Sequence, residues 1–245
     1  MPASTPTIIA MGGGGFSMEP ENPLLDDYIL SRVSGKPRVC FVPTASGDSA
    51  GYAVRFYRAF AARDCIASDL MLIGGAGLTR RPLETAELAA FVAEQDVIYV
   101  GGGNTANMLA LWRVHGLDQI LRTAWQAGTI LCGLSAGMIC WFQSSVTDSF
   151  GSLAQLDDGL ALLPYSACPH YDGEPQRRPR YHALVAAGMP AGYAADDGAA
   201  IVFEGDKVTE VVSSRPDAAG YHVALDGGRV VETRLDTRYL KTTTR

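Results

Sequence analysis

The chain contains no run of about 20 apolar residues, so no membrane-spanning helix is expected. It also has no excess of positive charge. Lys and Arg number 20 against 26 Asp and Glu, a formal charge of -6. No basic stripe is left to neutralise phosphates, which argues against a nucleic-acid partner. The run Arg177-Arg178-Pro179-Arg180 is too short to change that. Cysteine is scarce, odd in number and scattered (Cys40, Cys65, Cys132, Cys140 and Cys168), mostly inside apolar strings. This pattern excludes a disulfide framework and a zinc site, and reads as buried small side chains in a reducing compartment. Met1 to Thr7 is polar and lacks the basic-then-apolar order of a secretory signal. A cytoplasmic protein is the expectation. The glycine run Gly12-Gly13-Gly14-Gly15 is not followed by Lys-Ser/Thr and does not have dinucleotide spacing, so a Walker A loop is excluded. No metal or other cofactor is expected. Ser/Gly linkers, internal repeats and low-complexity tracts are absent too, which points to one domain over residues 1–245.

Hydrophobic residues make up 47% of the 245, enough for a substantial core. Short buried-strand patterns alternate with helical ones over roughly the first 145 residues. Strands are expected at Thr7–Met11, Arg38–Val42, Ser68–Ile73, Val97–Val100 and Thr129–Leu134. Helices are expected at Pro23–Val33, Tyr52–Arg63, Thr85–Glu94, Ala106–Trp112 and Gly116–Ala127. Such alternation predicts a mostly parallel, doubly wound α/β sheet. From about residue 199 to 240 the pattern changes to short antiparallel strands and hairpins. The run Gly12–Gly15 reads either as a ligand cradle or as a tight strand exit.

Gly133-Leu134-Ser135-Ala136-Gly137 follows the last of the parallel strands. A strand that turns sharply into a helix through Gly-x-Ser-x-Gly has the pattern of a nucleophile elbow. The flanking glycines avoid collisions that a Cβ would cause in so tight a turn. The positive end of the following helix and nearby backbone N–H groups suit an oxyanion. Gly101-Gly102-Gly103-Asn104-Thr105 leaves the carboxyl end of the neighbouring strand pattern, so both loops are expected to face one crevice.

Serine is inert at neutral pH unless a base takes its proton. Of His115, His170, His182 and His222, only His170 combines a strand end with crevice-like surroundings, Pro169 before it and Tyr171-Asp172-Gly173 after. Asp197, Asp148 and Asp172 are the acids that could orient it.

Gly101–Thr105, Gly133–Gly137 and Pro169-His170-Tyr171-Asp172, in that order, resemble the peptidase E family of serine peptidases, over nearly the whole chain up to about Gly205. That family includes aspartyl dipeptidases and cyanophycinases. The resemblance implies a parallel α/β fold like that of class I glutamine amidotransferases. It implies Ser135 as nucleophile, His170 as base and Asp197 as triad acid, with Asp148 as the alternative. The oxyanion donors would be the N–H of Ala136 and one from Gly102 or Gly103. An acyl-enzyme on Ser135 would be hydrolysed by water, and the substrate would be a short peptide, in the best-known members a dipeptide beginning with Asp. Arg177, Arg178 or Arg180 would then hold the Asp carboxylate. A solvated basic loop is the alternative for these arginines, and loop capping the alternative for Asn104 as a substrate contact. Family members often pair, so a homodimer is compatible with the resemblance. The rival functional readings are another dipeptide or cyanophycin-like specificity, and a small-molecule-binding protein on the same fold. A glutamine amidotransferase fits less well because its nucleophile is Cys.

Overall fold

The computed structural model describes residues 5–73 and 83–241, so the polar start Met1–Ser4 lies outside the described residues. The first half alternates strand and helix: β1 (Thr7–Met11), α1 (Gly15–Met18), α2 (Leu24–Ser31), β2 (Arg38–Val42), α3 (Ala50–Phe60), β3 (Ile66–Asp69), α4 (Thr85–Ala93), β4 (Val97–Val100), α5 (Thr105–His115), α6 (Leu117–Ala127) and β5 (Ile130–Leu134). α7 (Ala136–Ile139) follows the Ser turn at once. Next come β6 (Phe142–Thr147), β7 (Ala154–Leu156), β8 (Leu163–Cys168), α8 (Arg177–Ala186), β9 (Gly192–Ala195), β10 (Ala199–Glu204), β11 (Lys207–Ser213), β12 (Gly220–Asp226), β13 (Arg229–Arg234) and β14 (Arg238–Tyr239).

These strands form two sheets. The larger has the order β14-β11-β10-β1-β5-β4-β2-β3. Its run from β1 through β5, β4 and β2 to β3 is parallel, whereas β10 joins β1 antiparallel. Four of the five parallel strands, β1, β5, β4 and β2, are largely apolar and buried on both faces, as strands covered by helices must be, whereas the edge strand β3 reads Ile-Ala-Ser-Asp and is only partly buried. Their residues alternate between two cores. Ile9, Met11, Phe41, Tyr99 and Cys132 pack with α1, α2 and α3, while Ile8, Ala10, Val42, Val100 and Leu131 pack with α4, α5, α6 and α7.

The smaller sheet, ordered β13-β12-β9-β8-β6-β7, departs from the expected single sheet with a late extension. Phe142, Leu163, Ala167 and Ala195 from it share the core of α4–α7, so one apolar core runs through both sheets. Its other face packs with α8 through Val146, Cys168, Tyr181 and Val223. The hairpin segment of 199–240 is therefore divided: β10–β11 extends the large sheet, and β12–β13 extends the small one.

Two further expectations need correction. The strand expected at Ser68–Ile73 lies at Ile66–Asp69, and the helix after the Ser turn has only four residues before Phe142 begins β6. The basic-loop alternative for the arginines does not hold either, because Arg177–Arg180 form the first turn of α8. Pro179 is tolerated there because the first-turn N–H groups have no intrahelical acceptor.

Candidate active site

β1, β5 and β4 lie side by side and parallel, so their carboxyl ends bring Gly12-Gly13, Ser135 and Gly101–Gly103 to one edge. Ser135 stands between β5 and α7 with φ 55° and ψ -114°, a conformation that costs a non-glycine residue about 1–3 kcal/mol. Its N–H donates to the Met11 carbonyl at 3.2 Å, and its own carbonyl accepts from Met138 and Ile139. The flanking glycines allow the turn. A Cβ on Gly133 would lie 2.6 Å from the Val100 carbonyl oxygen, and one on Gly137 would lie 2.2 Å from it. α7 is too short to add much macrodipole, but the N–H of Ala136, first in the helix, has no intrahelical acceptor.

His170 follows β8 and also takes a left-handed backbone, φ 51°. Its N–H donates to the Gly12 carbonyl at 3.2 Å. Two successive carbonyls of β1 and its exit thus hold the backbones of Ser135 and His170. On the far side of the imidazole, His170 Nδ1 lies 2.6 Å from Asp197 Oδ1, and each side chain is only 12% exposed. Burial alone would raise the Asp197 pKa. The hydrogen bond and charge of His170, with Arg215 and Arg177 adding, outweigh it and hold the carboxyl below its ordinary value. Asp197 is also fixed by its backbone, whose N–H donates to Asp172 Oδ1 at 2.7 Å.

Gly12 and Gly13 locate this acid. Gly13 forms a parallel bridge with Asp197, and its carbonyl accepts from the Gly198 N–H at 3.1 Å. A Cβ on Gly12 would lie 2.2 Å from the Ala195 carbonyl oxygen, and one on Gly13 would lie 2.0 Å from Asp197 Oδ1. The glycine run is packed as a tight strand exit. Neither its part in holding Asp197 nor that of Gly173, whose Cβ would meet Asp197 Oδ2 at 2.3 Å, was legible from local pattern. Asp148, by contrast, is exposed in the loop after β6, and the acid on His170 is Asp197. Asp172 braces Asp197 and does not pair with the ring.

The glycine loop after β4 lies against Ser135. A Cβ on Gly102 would touch Ser135 Cβ at 3.4 Å, but the Gly102 N–H donates to Tyr52 Oη at 3.2 Å. Gly103, at φ 140°, is pressed against the Ala45 carbonyl. Asn104 caps α5: its Oδ1 accepts from the Asn107 N–H at 2.9 Å, and its Nδ2 donates to the Ser149 carbonyl at 2.9 Å. Both of its polar groups serve the loop, as the capping alternative requires.

The three arginines differ sharply. Arg177 is buried, donates to Glu174 at 2.7 Å and to the Val146 carbonyl at 3.1 Å, and so cannot reach a ligand. Arg180 donates to the Leu153 carbonyl. Arg178 lies over the rings of Tyr171 and Tyr221, 4.5 and 4.8 Å from their centroids, beside the residue that follows His170. Among the described residues no helix is long and apolar enough to cross a membrane, and no group of three or more His, Cys, Asp or Glu is placed to hold a metal ion.

Comparison with known proteins gives this geometry a family. The profile of Peptidase family S51 matches residues 8–211. The uncharacterized peptidase YgaJ of Bacillus subtilis (strain 168) is 52% identical over 235 residues, covering 95% of this chain and 98% of that protein. The uncharacterized peptidase Lmo0363 of Listeria monocytogenes is 30% identical over 159 residues, covering 62% of this chain and 74% of that protein. Among solved structures, a peptidase from an acI-B1 actinobacterium matches with a TM-score of 0.68 at 19% identity, covering 96% of each chain. A candidate peptidase E protein from Listeria monocytogenes EGD-e matches with a TM-score of 0.59 at 19% identity, covering 95% of this chain and 100% of that one. The fold is therefore of the peptidase E type, and this chain belongs to peptidase family S51, a family of serine hydrolases that cleave peptides.

Proposed function

We propose that the protein is a dipeptidase acting on short peptides with an N-terminal Asp, through Ser135, His170 and Asp197. The observation that carries the reading is the common anchorage of Ser135 and His170 on the Met11 and Gly12 carbonyls, with Asp197 2.6 Å behind the imidazole. With Nδ1–H donated to the carboxylate, Nε2 is the basic nitrogen and takes the proton of Ser135 Oγ as it attacks the peptide carbonyl. The imidazolium then protonates the leaving amine, and water hydrolyses the acyl-enzyme by the same route in reverse. The tetrahedral oxyanion is held by the Ala136 N–H and by the Gly103 N–H, the Gly102 N–H being taken by Tyr52 Oη. The compartment proposed from the composition is the cytoplasm, and a homodimer is compatible with the family.

The Asp preference needs a cation, and Arg178 is the remaining candidate. Its side chain is 43% exposed and sits on Tyr171, next to His170, whereas Arg177 and Arg180 serve backbone carbonyls. The test is release of free amino acids from a panel of Xaa-Leu dipeptides by the wild type and Arg178→Met. Cleavage of Asp-Leu in preference to the others, with KM raised in Arg178→Met, supports the full reading. Cleavage of other dipeptides but not Asp-Leu removes the Asp preference and leaves the serine chemistry.

A further inference from the structure

β12 and β13 lie beyond the residues matched by the family profile, yet one carboxylate of this hairpin reaches the segment that carries His170. Glu232 Oε2, on β13, accepts from Tyr171 Oη at 2.6 Å. The same oxygen lies 2.8 Å from His182 Nε2 and 3.5 Å from Arg178 Nε, both on α8. Tyr171 Oη is itself 3.0 Å from His182 Nε2, so the four side chains form one closed cluster. From Arg178 the contacts continue through the Tyr221 ring, whose hydroxyl donates to Asp196 Oδ2 at 3.1 Å. The cluster therefore touches the residue after His170 and the residue before Asp197.

We propose that Glu232 is a positioning residue for His170: through Tyr171 it braces the strained turn that aims the imidazole, and the β12–β13 hairpin is the support. The inference rests on the role proposed above for His170. The physical argument is that a non-glycine residue at φ 51° persists only where its surroundings over-determine it. Three backbone bonds do part of this: His170 N–H to Gly12, Tyr171 N–H to Ala195, and Glu174 N–H to the His170 carbonyl. None of them fixes the Tyr171 side chain. That side chain is buried, and its hydroxyl reaches Glu232 across the face of α8. Glu232 suits the task because it stays ionised. Burial would raise its pKa, but the hydrogen bonds of Tyr171 and His182 and the charge of Arg178 hold it below the ordinary range.

Two readouts test the brace. The first is the downfield proton resonance of the short His170–Asp197 hydrogen bond, assigned by its loss in Asp197→Asn. It needs no substrate and no reaction at Ser135. In Glu232→Gln and Tyr171→Phe the resonance is expected to move upfield and broaden. In Glu94→Gln, a control at an exposed ion pair with Arg38, it is expected to stay in place. The second is the rate at which a fluorophosphonate phosphonylates Ser135 Oγ with loss of fluoride, expected to fall about tenfold in both cluster variants at temperatures where they remain folded. An unchanged resonance together with an unchanged labelling rate overturns the proposal. Tyr171→Phe removes a single hydroxyl and carries the test if Glu232→Gln does not fold. A wild-type protein that resists labelling, or a Ser135→Ala protein that is labelled equally, counts against the serine reading alone, and the resonance then decides the brace by itself.

Discussion

Gly13 and Asp197 are packed so tightly that a β-carbon on the glycine would lie 2.0 Å from the carboxylate oxygen bonded to His170. The strand exit and the acid are therefore one mechanical unit. Gly13→Ala must push Asp197 out of line, and the expected result is a loss of about a hundredfold in kcat/KM. Gly173→Ala crowds the other carboxylate oxygen and should act in the same direction. Steady-state kinetics on the best dipeptide checks both, with the His170 imidazole resonance reporting the displaced acid.

Which acid serves His170 can be decided by a pair of variants. Asp197→Asn keeps the shape but loses the charge that stabilises the imidazolium and the acceptor that sets the tautomer. It should lower kcat by about three to four orders of magnitude. Asp148 is exposed, and the ring nitrogen Nδ1 is already held by Asp197, so Asp148→Asn should keep kcat close to the wild type. A reversed order of effects would move the acid to Asp148.

Arg177 illustrates a basic residue that works for the fold. Replacing it by Met keeps the volume but leaves the buried Val146 carbonyl without its donor, while Glu174 rehydrates. The expected cost is about 2 kcal/mol, or a fall in melting temperature of roughly 4–8 °C for a chain of this size. KM should not change. A KM effect without loss of stability would return Arg177 to the substrate side.

Two buried carboxyls with raised pKa values, Asp26 and Asp196, pull stability down as pH rises. Burial raises Asp26 to about 6, with Arg63 and the Tyr99 hydroxyl opposing, and burial also raises Asp196 to about 6. A folded pKa above the unfolded one means that the stability contributed is complete below the unfolded value near 3.8 and is lost as pH rises through about 6. Asp26→Asn still accepts the Tyr99 hydroxyl and never ionises. Its advantage over the wild type should therefore be absent below about pH 4 and grow to about 3 kcal/mol at pH 8. Denaturant unfolding across that range measures it. A difference that does not depend on pH would mean that Asp26 is not the titrating group.

The parts of the fold legible in the sequence are those where burial is apolar and local. β1, β2, β4 and β5 announce themselves as short apolar runs because helices cover both of their faces. In the small sheet the strand ending before His170 and the late hairpin strands were legible too, but β6 was not, because it reads Phe-Gln-Ser-Ser-Val-Thr and buries polar groups that are satisfied by side-chain bonds, such as Ser144 to Asp157. What β8 did not reveal is the burial of its polar residue: Ser166 is fully buried against the Tyr181 hydroxyl and the Pro190 carbonyl. At the site, Ser135 and His170 were legible because their turns demand particular neighbours. The His170–Asp197 contact spans 27 residues, and Glu232 lies 61 residues from Tyr171; no local pattern encodes either. Arg177 misled for a related reason. A basic, proline-containing run looks solvated, yet its first guanidinium is drawn inward by a carbonyl that only the tertiary fold supplies.

The most direct test of the central claim is the hydrolysis rate of Ser135→Ala on the dipeptide that the wild type cleaves fastest, with folding verified by thermal unfolding. If Ser135 is the nucleophile, the rate falls by about four orders of magnitude or more, to the level left by binding and the oxyanion site alone. A folded Ser135→Ala protein that cleaves the dipeptide within about tenfold of the wild-type rate would contradict the account, because so small a loss is within what displacement of a neighbouring group can cause.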